Sequence, residues 1–163
     1  MVVATLVSDD ASVWVIYCDG SAVPNPGRMG MGAVLTESDG TRHTLSQSQS
    51  QSQSTTIKGC NNEAELRALM AALLKAQAHG ASALLVYCDS SVLVEQLGGA
   101  HVKPDLKPIA RLACLFEEAR ALLESFEQAR LQWIPRHRNA QADALARAAL
   151  GKQPKGAGKA AKN

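Results

Sequence analysis

Apolar and polar positions alternate along this chain in two periods, and the changes of period set the expected order of elements. Residues 1–12 show no periodicity and read as a loose leader. "VWVIYCD", Val13 to Asp19, is a dense apolar and aromatic run ending in a carboxylate; behind it "GSAVPNPGRMGMG" is rich in turn residues. A buried strand followed by a loop is expected there. "GAVLTESDGTRHTL" reads as a hairpin, because two strand-like runs flank Ser38-Asp39-Gly40. The three strands should form an antiparallel meander. "SQSQSQSQSTT", Ser46 to Thr56, alternates without an apolar member, so it has no face to bury and reads as a mobile extension of the hairpin's far end.

From Asn62 to His79 the period becomes helical, with Leu66, Leu69, Met70, Leu73 and Leu74 recurring on one side and Gly80 as the stop. Asn61 and Asn62 lead into this helix as good capping residues, and Glu63 and Glu65 in a first turn suit its dipole. "ALLVYCD" repeats the first strand pattern and ends in Asp89, after which Ser90 or Ser91 is placed to cap the short helix "VLVEQL". Strand, helix, strand implies a parallel pairing. Beyond Gly98-Gly99, Pro108 to Phe126 is expected as an amphipathic helix with Ile109, Leu112, Phe116, Ala119, Leu122, Leu123 and Phe126 inward. "RLQWIP" is a last strand, "RHRN" leads into a final helix from about Asn139 to Leu150, and Gly151 ends it. The order β-β-β-α-β-α-α-β-α defines an α/β domain over residues 13–151, a mixed sheet with helices on its faces.

With 163 residues, one sizeable core accounts for the length. The formal charge is +2, yet Lys152, Lys155, Lys159 and Lys162 lie in the acid-free stretch 152–163, so removing those four charges leaves −2 on residues 1–150. The folded part is not a generally basic nucleic-acid binder; any polyanion must be held by local groups, helix N-termini or bound cations. The Lys/Gly/Ala tail itself is too polar to pack and reads as disordered. Cys18, Cys60, Cys88 and Cys114 show no metal-ligand spacing, and no signal-like apolar segment precedes them, so a reduced, cytoplasmic protein is expected. No apolar run reaches the roughly 18 residues of a membrane span.

Asp19 and Asp89 each end a strand expected to be buried, and ligands of open α/β sheets gather at that edge. Each singly is also an ordinary turn or cap residue. Glu65 and Asp143 sit near the starts of two helices, where the dipole alone would account for them. Four converging carboxylates would repel one another unless a hard divalent cation lay among them. Mg²⁺ prefers such oxygens, and two ions about 4 Å apart hold the attacking water and the leaving oxygen of a phosphodiester. Metal-dependent phosphodiester hydrolysis is the expected chemistry.

"DGSAVPNPGRMGMGAVL", "CNNEAEL", "CDSSVLVEQL" and "NAQADALARAA", in this order, resemble the four signature segments of the type 1 ribonuclease H family, spread over Trp14 to Ala149. The resemblance implies a five-stranded mixed sheet, strands 1–3 antiparallel and strands 4 and 5 parallel to strand 1. It also implies an endonuclease that cuts the RNA strand of RNA–DNA hybrids, leaving a 3′-hydroxyl and a 5′-phosphate, with Mg²⁺ or Mn²⁺ required. The family's metal-binding quartet falls on Asp19, Glu65, Asp89 and Asp143. Glu63 falls at a variable position and reads as a first-turn residue. Asn61, Asn62 and Ser91 match minor-groove contacts, where a 2′-hydroxyl distinguishes RNA from DNA. Asn25 matches a pocket for a DNA phosphate.

The chain departs from the family in three places. Where many relatives carry a flexible glycine-rich loop with a histidine, this chain has the compact "PRHRNAQAD"; His137 is the catalytic candidate there, and Arg136 and Arg138 are candidate phosphate contacts. Where some bacterial members have a basic protrusion, only "GGAHVKPDLKP" is present, which lowers the expected hybrid affinity or shifts it to the lysine tail. The Ser/Gln tract lengthens the loop before "CNNEAEL". A hybrid-binding domain without catalysis and a less selective nuclease are the competing functions on the same fold. No obligatory protein partner is evident, and a monomer is expected.

Overall fold

The computed structural model describes residues 12–22, 28–49, 57–98 and 112–151, the side chains of 57–60 excepted. Asn25, Ile109, the leader 1–11 and the tail 152–163 lie outside those residues. Five strands form one sheet in the order β3-β2-β1-β4-β5: β1 Val13–Ala22, β2 Met29–Thr36, β3 Arg42–Gln49, β4 Ala83–Cys88 and β5 Gln128–Trp133. β1, β2 and β3 pair antiparallel, and β4 and β5 run parallel to β1. The sheet is the one expected from the sequence. Among the described residues its helices are α1 Ile57–Ala78, α2 Ser91–Leu97, α3 Ala113–Glu124 and α4 Ala140–Ala149, with a 3₁₀ turn at Arg136–Arg138. None among the described residues is long and apolar enough to cross a membrane.

Successive side chains of β1 point to opposite faces, which assigns the layers. Trp14, Ile16 and Cys18 enter the main core with Leu66, Leu69 and Leu73 of α1, Leu84 and Val86 of β4, and Phe116 of α3. Full burial of each large apolar side chain contributes about 1.5–3 kcal/mol. The other face receives α4: a Cβ on Gly30 would stand 2.1 Å from the Ala146 carbonyl oxygen, and one on Gly32 2.3 Å from that of Ala142. Bare backbone at both positions is what lets α4 lie directly on β2.

The expected local signals hold at the Asp39-Gly40 turn, where Gly40 takes φ +93° and Thr41 N donates to Asp39 Oδ1 at 2.9 Å. They hold again where Gly80 and Gly151 follow helices with φ +81° and +74°.

Three expectations need correction. Ser46–Gln49 belong to β3, not to a mobile extension. An edge strand needs only main-chain bonds on one side; the buried Leu45 fixes the register, and Ser46 Oγ donates to Leu145 O at 2.7 Å. α1 begins at Ile57, so Asn61 and Asn62 are helix interior and Glu65 lies beyond the second turn. Asparagine costs well under 1 kcal/mol inside a helix, and packing overrides that preference. Leu74 is 51% exposed; the buried stripe of α1 runs through Leu66, Leu69, Ala72, Leu73 and Ala76, which turns position 74 outward.

Candidate active site

β1 and β4 are in register at Tyr17 and Tyr87, so the aspartates two residues further on arrive together at the carboxyl edge of the sheet. Asp19, Glu65 and Asp89 each offer an oxygen within 4.8 Å of the others. Glu65 comes from α1, whose close approach depends on Gly20: a Cβ there would stand 2.1 Å from the carbonyl carbon of Ala64. Asp143, in the first turn of α4, faces the same hollow of about 230 Å³, which Asn61, Arg136 and Arg147 also line.

Burial dominates the electrostatics. Asp19 is 7% exposed, and its carboxyl is pushed up to about 8, by burial first and then by repulsion from Asp89, Glu65 and Asp143, with a hydrogen bond to Asp143 adding to the rise. Glu65 is pushed up to about 7 by burial and by Asp89, against a hydrogen bond from Ser90 and the charge of Arg136. Each carboxyl therefore holds its proton unusually firmly. A cation is the natural counterweight, and a donor set made only of carboxylate oxygens suits a hard divalent ion. The thiols next to the aspartates do not compete, because Cys18 and Cys88 are buried in the opposite core.

The remaining candidates divide. Arg136 lines the carboxylate hollow, whereas His137 and Arg138, both exposed, line a neighbouring one of about 290 Å³ with Tyr17 and Asn139. Asn61 is exposed at the carboxylate hollow. Asn62 is buried, and its Nδ2 has no hydrogen-bond partner among the described residues. Ser91 is exposed at the start of α2, and Ser90 is the cap of that helix, accepting from Leu93 N at 3.3 Å. Glu63 is no first-turn residue: it is fully buried, with Arg67 Nε donating to it at 2.7 Å. A carboxylate enclosed by the fold requires such a partner.

Three residues at the site escaped sequence reasoning. Ser90 was legible only as a cap, yet its side chain also favours the ionised form of Glu65, which comes from another element. Arg147 binds both oxygens of Asp143, at 3.2 and 3.1 Å, a pairing that the i,i+4 spacing on α4 does signal. Asn139 was legible as a helix start, but its amide donates to Asp89 Oδ2 and to the Cys18 carbonyl, each at 2.9 Å.

This sheet order, with carboxylates gathered where β1 and β4 end and helices on both faces, defines a ribonuclease H-like domain. Residues 17–149 match the family described as "Reverse transcriptase-like", and the chain belongs to that family. It is 38% identical over 138 residues to the Bifunctional protein Rv2228c of Mycobacterium tuberculosis, a match covering 83% of this chain and 35% of that protein. The chain thus spans about a third of the length of that curated relative. The crystal structure of RNase H1 from Halobacterium salinarum superposes with a TM-score of 0.71 at 32% identity, over 85% of this chain and 98% of the other. LC11-RNase H1, solved in complex with an RNA/DNA hybrid, gives 0.68 at 30% identity, over 85% and 96%.

Proposed function

We propose that the domain is an endonuclease that hydrolyses the RNA strand of RNA–DNA hybrids in the cytoplasm and leaves a 3′-hydroxyl and a 5′-phosphate. The observation that carries this reading is the convergence of Asp19, Glu65 and Asp89 within 4.8 Å, with Asp143 lining the same hollow. The likeness to a ribonuclease H solved with its hybrid supports the substrate class.

Asp19, Glu65, Asp89 and Asp143 would hold two Mg²⁺ ions, with Mn²⁺ an alternative. Bound there, the ions would supply an activated water and charge neutralisation at the leaving oxygen. The chain's own groups bind and orient. Arg136 offers a guanidinium to a backbone phosphate beside Glu65, and Arg138 extends this charge to the neighbouring hollow. Asn61 presents its amide at the mouth of the site and would donate to the 2′-hydroxyl or a minor-groove base edge, while the next residue, Asn62, keeps its Nδ2 buried in this structure. Ser91 on α2 would extend the contact along the hybrid, and Asn25, outside the described residues, is the candidate for a DNA phosphate by its match to the family. His137, exposed on its short turn beside the neighbouring hollow, would be the candidate for proton transfer.

The test is a cleavage assay with Mg²⁺ on an end-labelled hybrid, with duplex DNA and single-stranded RNA of the same sequence as comparisons. Cutting confined to the RNA of the hybrid, with 5′-phosphate ends, is expected. Comparable cutting of all three substrates would make this a less selective nuclease, and binding without cutting a hybrid-binding module.

A further inference from the structure

We infer that Asn139 is a positioning residue that locks the Asp89 carboxylate and ties together the elements carrying three of the four acids. The inference rests on the metal-site reading above. Asn139 is 1% exposed, and its Nδ2 donates both to the Cys18 carbonyl and to Asp89 Oδ2, each at 2.9 Å. Both partners accept only, so the orientation of the amide is not ambiguous. Cys18 immediately precedes Asp19. The backbone carbonyl of Asn139 accepts from Asp143 N at 3.0 Å, and its own N donates to Arg136 O at 3.0 Å. One residue therefore touches the strand position before Asp19, the carboxylate of Asp89 and the peptide of Asp143.

Helix capping does not explain this arrangement. Asn139 occupies the N-cap position of α4, where asparagine ordinarily accepts from the helix's free amides, yet its side chain makes no cap bond. Its Oδ1 is buried with no hydrogen-bond partner among the described residues. The side chain has turned away from the helix and left an acceptor unmet, while its two donors reach the sheet edge. With a lone pair of Oδ2 engaged, the plane of the Asp89 carboxylate is fixed, as an outer partner fixes a metal ligand.

Two variants separate positioning from capping. Asn139→Ala removes both donors; Asn139→Ser supplies a strong N-cap that the native side chain does not make, but does not reach Asp89. Titration calorimetry with Mg²⁺, melting in EDTA, and kcat and KM on the hybrid are measured for each. Asn139→Ala is expected to weaken Mg²⁺ binding about tenfold and lower kcat by a similar factor, with KM for the hybrid unchanged. Asn139→Ser is expected to recover the melting temperature but not the Mg²⁺ affinity. Wild-type affinity in a folded Asn139→Ala, or recovery of both properties by Asn139→Ser, would overturn the assignment. Wild-type protein that binds no Mg²⁺ would instead overturn the functional reading beneath it.

Discussion

Arg147 holds Asp143 from one turn further along α4, its Nε 3.1 Å from Oδ2 and 3.2 Å from Oδ1, so the fourth carboxylate is already engaged by a guanidinium. Any cation entering the hollow competes with that pairing. An i,i+4 pair with partly exposed members, 25% for Arg147 and 17% for Asp143, is worth about 0.3–0.5 kcal/mol. Arg147→Met should therefore tighten Mg²⁺ binding about twofold and change the melting temperature little. Calorimetric titration checks this; weaker binding in Arg147→Met would show that Arg147 organises Asp143 for the ion instead of competing for it.

Asp19→Asn is predicted to abolish cleavage and to stabilise the metal-free fold at neutral and alkaline pH. The folded carboxyl titrates at about 8 against an ordinary 3.8, so between those values the folded state keeps a proton that the unfolded chain has released. Stability from this group is thus greatest at low pH and declines as pH rises through that window. Melting in EDTA should show a shallower decline for Asp19→Asn and a higher melting temperature than wild type near pH 8. Cleavage should fall more than about a hundredfold, since loss of even an outer partner of a metal ligand costs about 10–100-fold. A variant that still cuts would remove Asp19 from the site.

The strand runs, the hairpin and the aspartates that end two strands were legible because each is written locally, whereas the order of strands in the sheet came from the resemblance to the family. Val13–Asp19 and Ala83–Asp89 are apolar runs ending in a carboxylate, and Gly40, Gly80 and Gly151 punctuate at positions of positive φ. What was not legible depends on partners distant in sequence. β3 gathers in Ser46–Gln49 because β2 and α4 supply the bonds that the polar tract cannot supply for itself. The start of α1 at Ile57 and the outward turn of Leu74 follow from which stripe the sheet covers. The roles of Asn139 and Ser90 exist only once β1, β4, α1 and α4 have met.

Gly20 sets the distance between β1 and α1, and through it the distance from Asp19 to Glu65. A methyl group at this position would stand 2.1 Å from Ala64 C and 2.3 Å from Glu65 N, all of it backbone, so α1 must move. Gly20→Ala should cost about 1–3 kcal/mol of stability as overpacking does. Activity measured well below the melting temperature should fall by about a hundredfold, since a displacement of about 1 Å at a reacting centre is enough for that. A folded Gly20→Ala with full activity would show that α1 yields without carrying Glu65 with it.

The thiols beside the two aspartates are expected to be inert. Cys18 and Cys88 are 1% and 3% exposed, and their sulfurs turn to different carbonyls, Tyr87 O at 3.9 Å and Ser90 O at 3.8 Å. Burial, more than the neighbouring acids, pushes Cys88 up to about 12 and Cys18 well above the usual thiol range. At pH 8 Cys88 is then almost wholly the thiol, and only the thiolate reacts. Cys114, on the exposed side of α3, lies open to reagent. In a Cys60→Ser background, a thiol reagent should label Cys114 alone in the native protein, then Cys18 and Cys88 once it unfolds. Mild oxidation should leave hybrid cleavage unchanged. A Cys18–Cys88 bridge found by mass spectrometry, with activity lost and then restored by reduction, would show instead that the pair is a switch acting through Asp19 and Asp89.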